Sequence, residues 1–250
     1  MSGKGARAWL LLPLLLAAGG IGPAQPVSPR AGAELPLLEM PVPGSERLVI
    51  LMSGDGGWRA LVKGMSAEFN RQGVSVLGWN SLRYFWRRKT PEQAAADLAR
   101  TIEAYRQRWQ VREVALVGYS FGADAMPFLY NRLPPEQRSA VRFVSLLGLA
   151  PQADFHAKAG GWLGLGRSDE LPVLPQVERM PAARLQCIHG RKERGSLCPQ
   201  LRALGVAVVT AEGGHHFDGD AKALARYVED GWRQAPALCG ERNLRRTETD

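Results

Sequence analysis

The sequence predicts one α/β domain with a mostly parallel sheet of about six strands, helices on both faces and a small or absent lid. Six short apolar runs have the character of buried strands, and helical patterns separate most of them. Strands that alternate with helices imply right-handed crossovers and a sheet covered on both faces. A chain of 250 residues with 45% hydrophobic residues can bury one sizeable core.

The six predicted strands follow one another at regular intervals. They cover residues 47–54, 74–80, 113–119, 143–150, 184–190 and 206–213. The clearest helical pattern spans residues 90–109, where Thr90 and Pro91 form the start and Leu98, Ile102 and Tyr105 share one face. Ligands of such sheets bind at the carboxyl ends of the strands, so we look for the functional site there.

The N-terminus predicts a secretory signal peptide over residues 1–24. Lys4 and Arg7 precede an apolar run over residues 8–18, and small residues follow up to Ala24. A membrane anchor is the alternative, but the run is short and its downstream flank is rich in small residues and proline. We expect a flexible tether over residues 25–44, the α/β domain over residues 45–235 and a tail over residues 236–250.

Charge favours an anionic partner. The formal net charge is +8, and it falls to +6 if Lys4 and Arg7 leave with the signal peptide. For an exported protein, lipid headgroups at a membrane surface are the favoured partner, and the alternative is a solvated basic surface. No nucleic-acid-binding motif is visible, so no nucleic acid is expected. We also expect no cofactor and no metal.

Three cysteines fit an oxidising compartment. Cys187 ends an apolar run and Cys198 lies just beyond a short polar loop, so a disulfide between them is predicted. Cys239 is then unpaired or pairs elsewhere. Three free thiols are the alternative.

Ser120 is the predicted nucleophile. It has a glycine two residues away on each side, at Gly118 and Gly122, and it lies where the third predicted strand meets a helix. A sharp strand-to-helix turn of this kind holds a serine hydroxyl above the sheet edge, and flanking glycines relieve the crowding.

The base and the acid are predicted to follow in the order serine, acid, histidine. His215, directly after two glycines in the loop beyond the last strand, is the predicted base, and His216 is the second choice. Glu193 is the only acidic residue in the loop after the strand that ends at Gly190, and it is the predicted acid. Asp154, after the preceding strand, is the alternative acid.

The oxyanion hole is predicted from two backbone N–H groups. Phe121 follows the nucleophile, and Asp55 lies in the glycine-rich loop "SGDGGW" after the first predicted strand. A phosphate-binding loop is the alternative for this stretch, but the Lys-Ser/Thr pair that would follow is missing.

Residues 81–89, here called the aromatic-basic segment, follow the carboxyl end of a strand. We predict that Tyr84, Phe85 and Trp86 line the mouth of the site, while Arg83 and the basic residues at 87–89 face a phosphate. The alternative is an aromatic packing cluster with a solvated basic rim. The stretch 151–181 is the one sizeable insertion, and it takes the place of a large lid.

Over residues 46–234 the chain resembles the VirJ/AcvB family of bacterial virulence-associated proteins. The matching stretches are "SGDGGW", "NSLRYFWRRKTPEQAAADLAR", "VGYSFGADAMPF", "CIHGRKERGSLCP" and "GGHHFDGD". The resemblance implies an α/β-hydrolase fold, a periplasmic location and hydrolysis of aminoacyl-phosphatidylglycerol. By position it also implies Ser120 as nucleophile and His215 as base. Asn80 stands where the resemblance leads us to expect an acidic residue.

The expected function is therefore that of an exported serine hydrolase that cleaves the aminoacyl ester of lysyl- or alanyl-phosphatidylglycerol through an acyl-enzyme. One alternative is a periplasmic esterase or thioesterase of broad range. The other is a non-catalytic partner of secretion-system proteins.

Overall fold

The computed structural model describes residues 35–157 and 170–237. At the centre of these residues is a seven-stranded sheet in the order β1-β3-β2-β4-β5-β8-β9, in which only β1 runs antiparallel to its neighbour. Its strands are β1 (Leu37–Met40), β2 (Arg47–Met52), β3 (Ser75–Trp79), β4 (Glu113–Tyr119), β5 (Val141–Leu147), β8 (Leu185–Gly190) and β9 (Ala207–Ala211). All six predicted strands are confirmed, as is the mostly parallel sheet.

Helices cover both faces of the sheet, as predicted. They are α1 (Ala60–Arg71), α2 (Ser81–Tyr84), α3 (Pro91–Arg108), α4 (Phe121–Asn131), α5 (Pro135–Ala140), α6 (Leu174–Val177) and α7 (Ala221–Gln234). Helices α1 and α7 bury their apolar residues in one core cluster, and α3 and α4 bury theirs in another on the opposite face. Among the described residues, no helix is long and apolar enough to cross a membrane.

Helix α3 begins and packs as its sequence predicts. The Thr90 side chain accepts a hydrogen bond from the Gln93 N–H, and the Gln93 side chain accepts one from the Thr90 N–H, which closes a capping box. Pro91 occupies the first turn, where its missing N–H costs nothing. Leu98 and Ile102 are fully buried against the sheet.

The flexible tether predicted for residues 25–44 is wrong for its last part. Residues 37–40 form β1, which pairs with β3 from Leu37 opposite Trp79 to Met40 opposite Val76. The prolines at positions 36, 41 and 43 suggested an unfolded segment. Proline cannot donate to a strand ladder, so the same prolines are compatible with an edge strand that pairs on one side only.

Several predictions fall on residues that the structure does not describe. The signal peptide and Cys239 lie outside the described residues, and the tail does so from residue 238. Within the predicted insertion at 151–181, β6 (Gln152–Ala153) and β7 (Leu171–Pro172) form a two-stranded antiparallel sheet, followed by α6. Residues 158–169 lie outside the described part.

Candidate active site

Ser120 lies in a sharp turn between β4 and α4. Its backbone has φ 53° and ψ −123°, a strained conformation for a residue with a side chain. The two flanking glycines make the turn possible. A Cβ on Gly118 would lie 2.5 Å from the Gly122 carbonyl oxygen, and a Cβ on Gly122 would lie 2.5 Å from that of Met52. The sequence pattern is therefore explained by backbone contacts that only glycine permits.

Three loops at the carboxyl edge of the sheet bring Ser120, His215 and Glu193 together. His215 Nε2 lies 2.8 Å from Ser120 Oγ, and His215 Nδ1 lies 2.5 Å from Glu193 Oε1. The second carboxylate oxygen of Glu193 accepts a hydrogen bond from the Gly190 N–H, at 3.1 Å. The residues predicted as nucleophile, base and acid thus form one continuous hydrogen-bonded chain.

The charges around His215 suit a general base. The hydrogen bond from its ring to Glu193 raises the pKa of His215 above the ordinary value, while burial of the ring acts in the opposite direction. The Glu193 side chain is 6% exposed and the His215 side chain 39% exposed. The carboxylate is therefore held away from water, while the imidazole remains open on the side of Ser120.

Asp154, the alternative acid, and His189, a histidine on β8, have other partners. Asp154 lies 3.7 Å from Arg88 and accepts a hydrogen bond from the His156 N–H. His189 Nε2 lies 3.0 Å from the hydroxyl of Thr210 on the neighbouring strand. No contact joins Asp154 or His189 to Ser120 within the described residues, so the geometry favours Glu193 as the acid.

His216 forms a separate contact with Tyr119, the residue before the nucleophile. The Tyr119 hydroxyl lies 2.7 Å from His216 Nδ1, and the Tyr119 ring stacks on His215 with 5.9 Å between ring centres. Burial raises the pKa of Tyr119 to about 12, so the hydroxyl keeps its proton at neutral pH. Sequence reasoning missed Tyr119, although an aromatic residue beside the nucleophile was a visible signal.

The loop that carries both histidines, residues 212–219, is here called the histidine loop. Phe217 and Asp218 both have positive φ values, of 52° and 49°. Phe217 is nevertheless 1% exposed, because its side chain packs into the core on the α7 face. The buried Phe217 ring thus holds a strained loop in place beside Ser120.

The two predicted oxyanion donors belong to segments next to Ser120. The Phe121 N–H is the first of α4, and Asp55 belongs to the loop after β2. That loop approaches closely, since a Cβ on Gly54 would lie 3.3 Å from Ser120 Cβ. Within the described residues neither the Asp55 nor the Phe121 N–H bonds another group, so both remain available to a substrate oxygen.

A cavity of about 930 Å³ opens beside Ser120 and His215. Its wall includes the apolar side chains of Leu61, Val62 and Leu82 and two charged residues, Asp55 and Arg59. Sequence reasoning missed Arg59 and Leu82 because neither belongs to a recognised motif. The cavity has the size and composition of a small-molecule site.

The aromatic-basic segment differs from its prediction. Tyr84 and Phe85 do not line the mouth of the site, because they are buried at 4% and 0% exposure. The Tyr84 hydroxyl donates to Asp97 of α3, and the Phe85 ring packs against Phe121. The packing-cluster alternative therefore holds for these two side chains. Their hydrophobic burial outweighs any gain from exposing them at the site.

The remaining residues of the segment are exposed. Trp86 is 59% exposed, which is rare for so large an apolar side chain, and Arg83 and Arg87 are exposed beside it. Lys89 lies over the Tyr84 ring at 5.0 Å. Neither Arg83 nor Trp86 lines the cavity. However, they follow Leu82, which does, so the exposed rim borders the site.

Two further features were found only in the structure. Asp124, four residues after the nucleophile, accepts a hydrogen bond from the Ala150 N–H at 2.7 Å, and burial raises the pKa of its carboxyl to about 8. Asn80 begins α2 by accepting a hydrogen bond from the Arg83 N–H at 3.2 Å, which is a role an acidic residue could also fill.

The predicted disulfide between Cys187 and Cys198 is present. It links β8 to the 3₁₀ helix Cys198–Leu204 and closes the loop that carries Glu193. In the described part of the chain, no cluster of three or more histidine, cysteine or acidic residues is arranged to hold a metal ion.

One known protein family matches most of the chain. The family model described as bacterial virulence protein VirJ matches residues 46–236. No significant match was found among curated protein sequences.

Solved structures share the fold at low sequence identity. An esterase from Pyrococcus furiosus is 12% identical with a TM-score of 0.55, and the match covers 82% of this chain and 91% of that one. Est1E from Butyrivibrio proteoclasticus with bound ferulic acid is 12% identical with a TM-score of 0.54, and the match covers 80% of this chain and 95% of that one. The esterase domain of a Rhodothermus marinus protein is 15% identical with a TM-score of 0.52, and the match covers 80% of this chain and 98% of that one. These similarities show the α/β-hydrolase fold.

Proposed function

The chain belongs to the VirJ family of bacterial virulence proteins, and from that premise we propose that it is a serine hydrolase that cleaves the aminoacyl ester of lysyl- or alanyl-phosphatidylglycerol. The observation that carries the proposal is the hydrogen-bonded chain from Ser120 through His215 to Glu193. The proposed location is the periplasm, for which the predicted signal peptide and the Cys187–Cys198 disulfide are the support.

In the proposed first step, Ser120 Oγ attacks the ester carbonyl carbon while His215 Nε2 takes the serine proton. The carbonyl π electrons move to oxygen, and the N–H groups of Asp55 and Phe121 bind the resulting oxyanion. Glu193 keeps the other ring nitrogen protonated and stabilises the imidazolium. When the tetrahedral intermediate collapses, His215 returns the proton to the glycerol oxygen, which leaves as phosphatidylglycerol.

In the second step, a water molecule replaces the alcohol. His215 takes a proton from the water as its oxygen attacks the aminoacyl carbonyl, and the same two N–H groups bind the oxyanion. Collapse releases the amino acid and returns the proton to Ser120.

The exposed rim supports a substrate at a membrane surface. Trp86 and the arginines at 83 and 87 combine an amphipathic ring with positive charge, which suits the interface of an anionic bilayer. The proposed partner is therefore an anionic phospholipid surface. Opposite charge would hold the protein next to the lipid whose ester it cleaves.

The direct test uses liposomes that contain lysyl- or alanyl-phosphatidylglycerol. Wild-type protein should release free amino acid, and Ser120→Ala should lower the rate about 10³-fold or more, because it removes the nucleophile while the turn tolerates a smaller side chain. Circular dichroism of both proteins controls for folding. Activity of Ser120→Ala within a few-fold of wild type would exclude the serine mechanism.

A second candidate function is a carboxylic esterase of broad range. The mainly apolar wall of the cavity favours it, because Leu61, Val62 and Leu82 would also fit a plain acyl chain. Equal turnover of short soluble acyl esters and of liposomal substrate would favour this candidate. A protein that labels with no serine-directed reagent and cleaves neither substrate would instead fit a non-catalytic partner of secretion-system proteins.

A further inference from the structure

We propose that the side chain of Asp55 makes the site selective for esters whose acyl group carries a free ammonium, as aminoacyl esters do. This inference rests on the proposed function and assigns a specificity-determining residue within it. Asp55 was predicted only as a backbone donor; its carboxylate plays no part in that role.

Asp55 lies in the wall of the cavity in which the reaction is proposed to take place. Asp55 lines the same cavity as Ser120 and His215, and the residue before it, Gly54, approaches Ser120 Cβ so closely that an added Cβ would lie 3.3 Å away. The charge of Asp55 is the smallest of the effects that raise the pKa of His215, behind those of Glu193 and Asp124. It is also the smallest of those that raise the pKa of Tyr119, behind burial and the charge of Glu193. The Asp55 carboxylate is therefore within electrostatic range of both rings.

The other acidic groups nearby do not provide an equivalent charge. Glu193 is bound to His215 and to the Gly190 N–H. Burial raises the pKa of Asp124 to about 8, so that this carboxyl is mostly neutral at pH 7. Within the described residues Asp55 has no hydrogen bond or ion pair from its side chain. The Arg59 side chain in the same wall donates from Nε to the Gly56 carbonyl.

A carboxylate beside an oxyanion hole has a cost for ordinary esters. When the substrate carbonyl becomes an oxyanion, a nearby negative charge repels it, and the repulsion is strong in a partly buried site. The N–H donors of Asp55 and Phe121 stabilise the oxyanion, whereas the Asp55 carboxylate destabilises it. A neutral acyl ester has nothing with which to offset this repulsion.

An aminoacyl ester carries the compensating charge in the right place. Its α-ammonium is two bonds from the carbonyl carbon, so rotation about the Cα–C bond can bring the ammonium to the wall that carries Asp55 while the carbonyl oxygen occupies the oxyanion hole. Asp55 and the ammonium then attract each other and cancel the repulsion. The geometry thus turns an unfavourable charge into a means of selection between two classes of ester.

The test compares two soluble esters with the same leaving group, L-alanine 4-nitrophenyl ester and 4-nitrophenyl propionate. They differ by the α-ammonium, which also makes the carbonyl of the alanyl ester more electrophilic, so the quantity that tests Asp55 is the change in preference between wild type and Asp55→Asn. For wild type we expect kcat/KM for the alanyl ester to exceed that for the propionyl ester by about tenfold or more, after subtraction of spontaneous hydrolysis. Asp55→Asn should reduce this preference by about tenfold, through a fall for the alanyl ester and a rise for the propionyl ester.

The matched control is Asp230→Asn. Asp230 is exposed on α7 next to Glu229, which pairs with Arg47 at the start of β2, the edge of the sheet opposite to Ser120. Asp230→Asn should leave the ratio of kcat/KM for the two esters unchanged. An unchanged preference in Asp55→Asn would overturn the inference. So would equal losses for both esters, because a displaced loop harms the shared oxyanion hole regardless of the acyl group.

Failure of the proposed function gives a different result. If wild type cleaves neither ester and a fluorophosphonate does not label Ser120, the hydrolase proposal fails, and the inference fails with it. If wild type labels at Ser120 and cleaves both esters at similar kcat/KM, the hydrolase proposal stands and the selective role of Asp55 alone is overturned.

Discussion

Glu193 is a single carboxylate among basic neighbours, and its role can be tested through the protonation of His215. Glu193→Gln should lower kcat by about 10²- to 10⁴-fold, because the imidazolium loses its charged partner and the ring its fixed orientation. The carboxylate raises the pKa of His215. Without it the imidazolium is less stable, so the acid limb of the kcat/KM profile should move to lower pH. A pH series on a soluble ester measures both effects.

Asp154→Asn is the matched control, because it removes the alternative acid. Asp154 pairs with Arg88 and has no contact with His215 among the described residues. Its substitution should leave the acid limb in place. If the acid limb of the kcat/KM profile moved in Asp154→Asn and stayed in place in Glu193→Gln, the assignment of Glu193 as the acid would be contradicted.

At the scale of single residues, the sequence could predict what a local pattern determines. Ser120 was predicted because the turn requires glycines two residues away on each side, and His215 because a loop follows the last strand. Asp124 could not be predicted in this way. Its carboxylate accepts a hydrogen bond from the N–H of Ala150, a residue 26 positions later in the chain, and no local pattern reports such a contact.

At the scale of an element, the Tyr119–His216 contact joins the histidine loop to β4. Tyr119→Phe should lower kcat about tenfold with little change in KM, because the loop loses a hydrogen bond that orients His215 rather than one that binds substrate. His216→Leu should cause a similar loss, and the double variant should be no worse than either one, since both remove the same bond.

His216→Asn is the rescue variant for this contact, because the asparagine carbonyl oxygen can replace Nδ1 as the acceptor from Tyr119. It should keep most of the activity that His216→Leu loses. Thermal melting of all four variants separates orientation from stability. Equal activity in His216→Asn and His216→Leu, or strictly additive losses in the double variant, would show that the bond does not position the base.

The aromatic-basic segment is the second element with a testable role. Replacing Arg83 and Arg87 with glutamine and Trp86 with alanine spares Arg88 and Lys89, which have partners within the chain. At a membrane surface each such charge contributes about 1 kcal/mol, and salt screens it. Activity on anionic liposomes should fall several-fold or more and lose much of its salt dependence, as measured by amino acid release.

Two controls accompany the segment variant. Turnover of 4-nitrophenyl propionate should change less than about twofold, because none of the three substituted residues lines the cavity. Arg202→Gln with Arg226→Gln removes two exposed arginines elsewhere and should leave liposome activity intact. Parallel losses on both substrates would show that the segment supports the site itself. If the segment variant releases amino acid from anionic liposomes at the wild-type rate, the aromatic-basic segment is only a solvated rim.

At the scale of the whole molecule, the sequence predicted the central strands and the two helical layers because buried parallel strands form continuous apolar runs. It did not predict β1. Four residues between prolines have too little apolar pattern to indicate a strand, and their structure comes from tertiary contacts. The Tyr105 hydroxyl and Arg108 both contact Glu39, and the Asn70 amide donates to the Met40 carbonyl.

The position of β1 at one edge of the sheet has a practical consequence for the design of truncated proteins. A chain that starts at residue 45, where the domain was predicted to begin, would leave β3 paired with β2 alone and open on its other side along four residues. Such an open edge invites pairing between molecules and aggregation. A chain that starts at residue 35 keeps the edge covered and should remain monodisperse in size-exclusion chromatography, while the shorter one should form aggregates. If both elute alike, β1 adds nothing to the solubility of the domain.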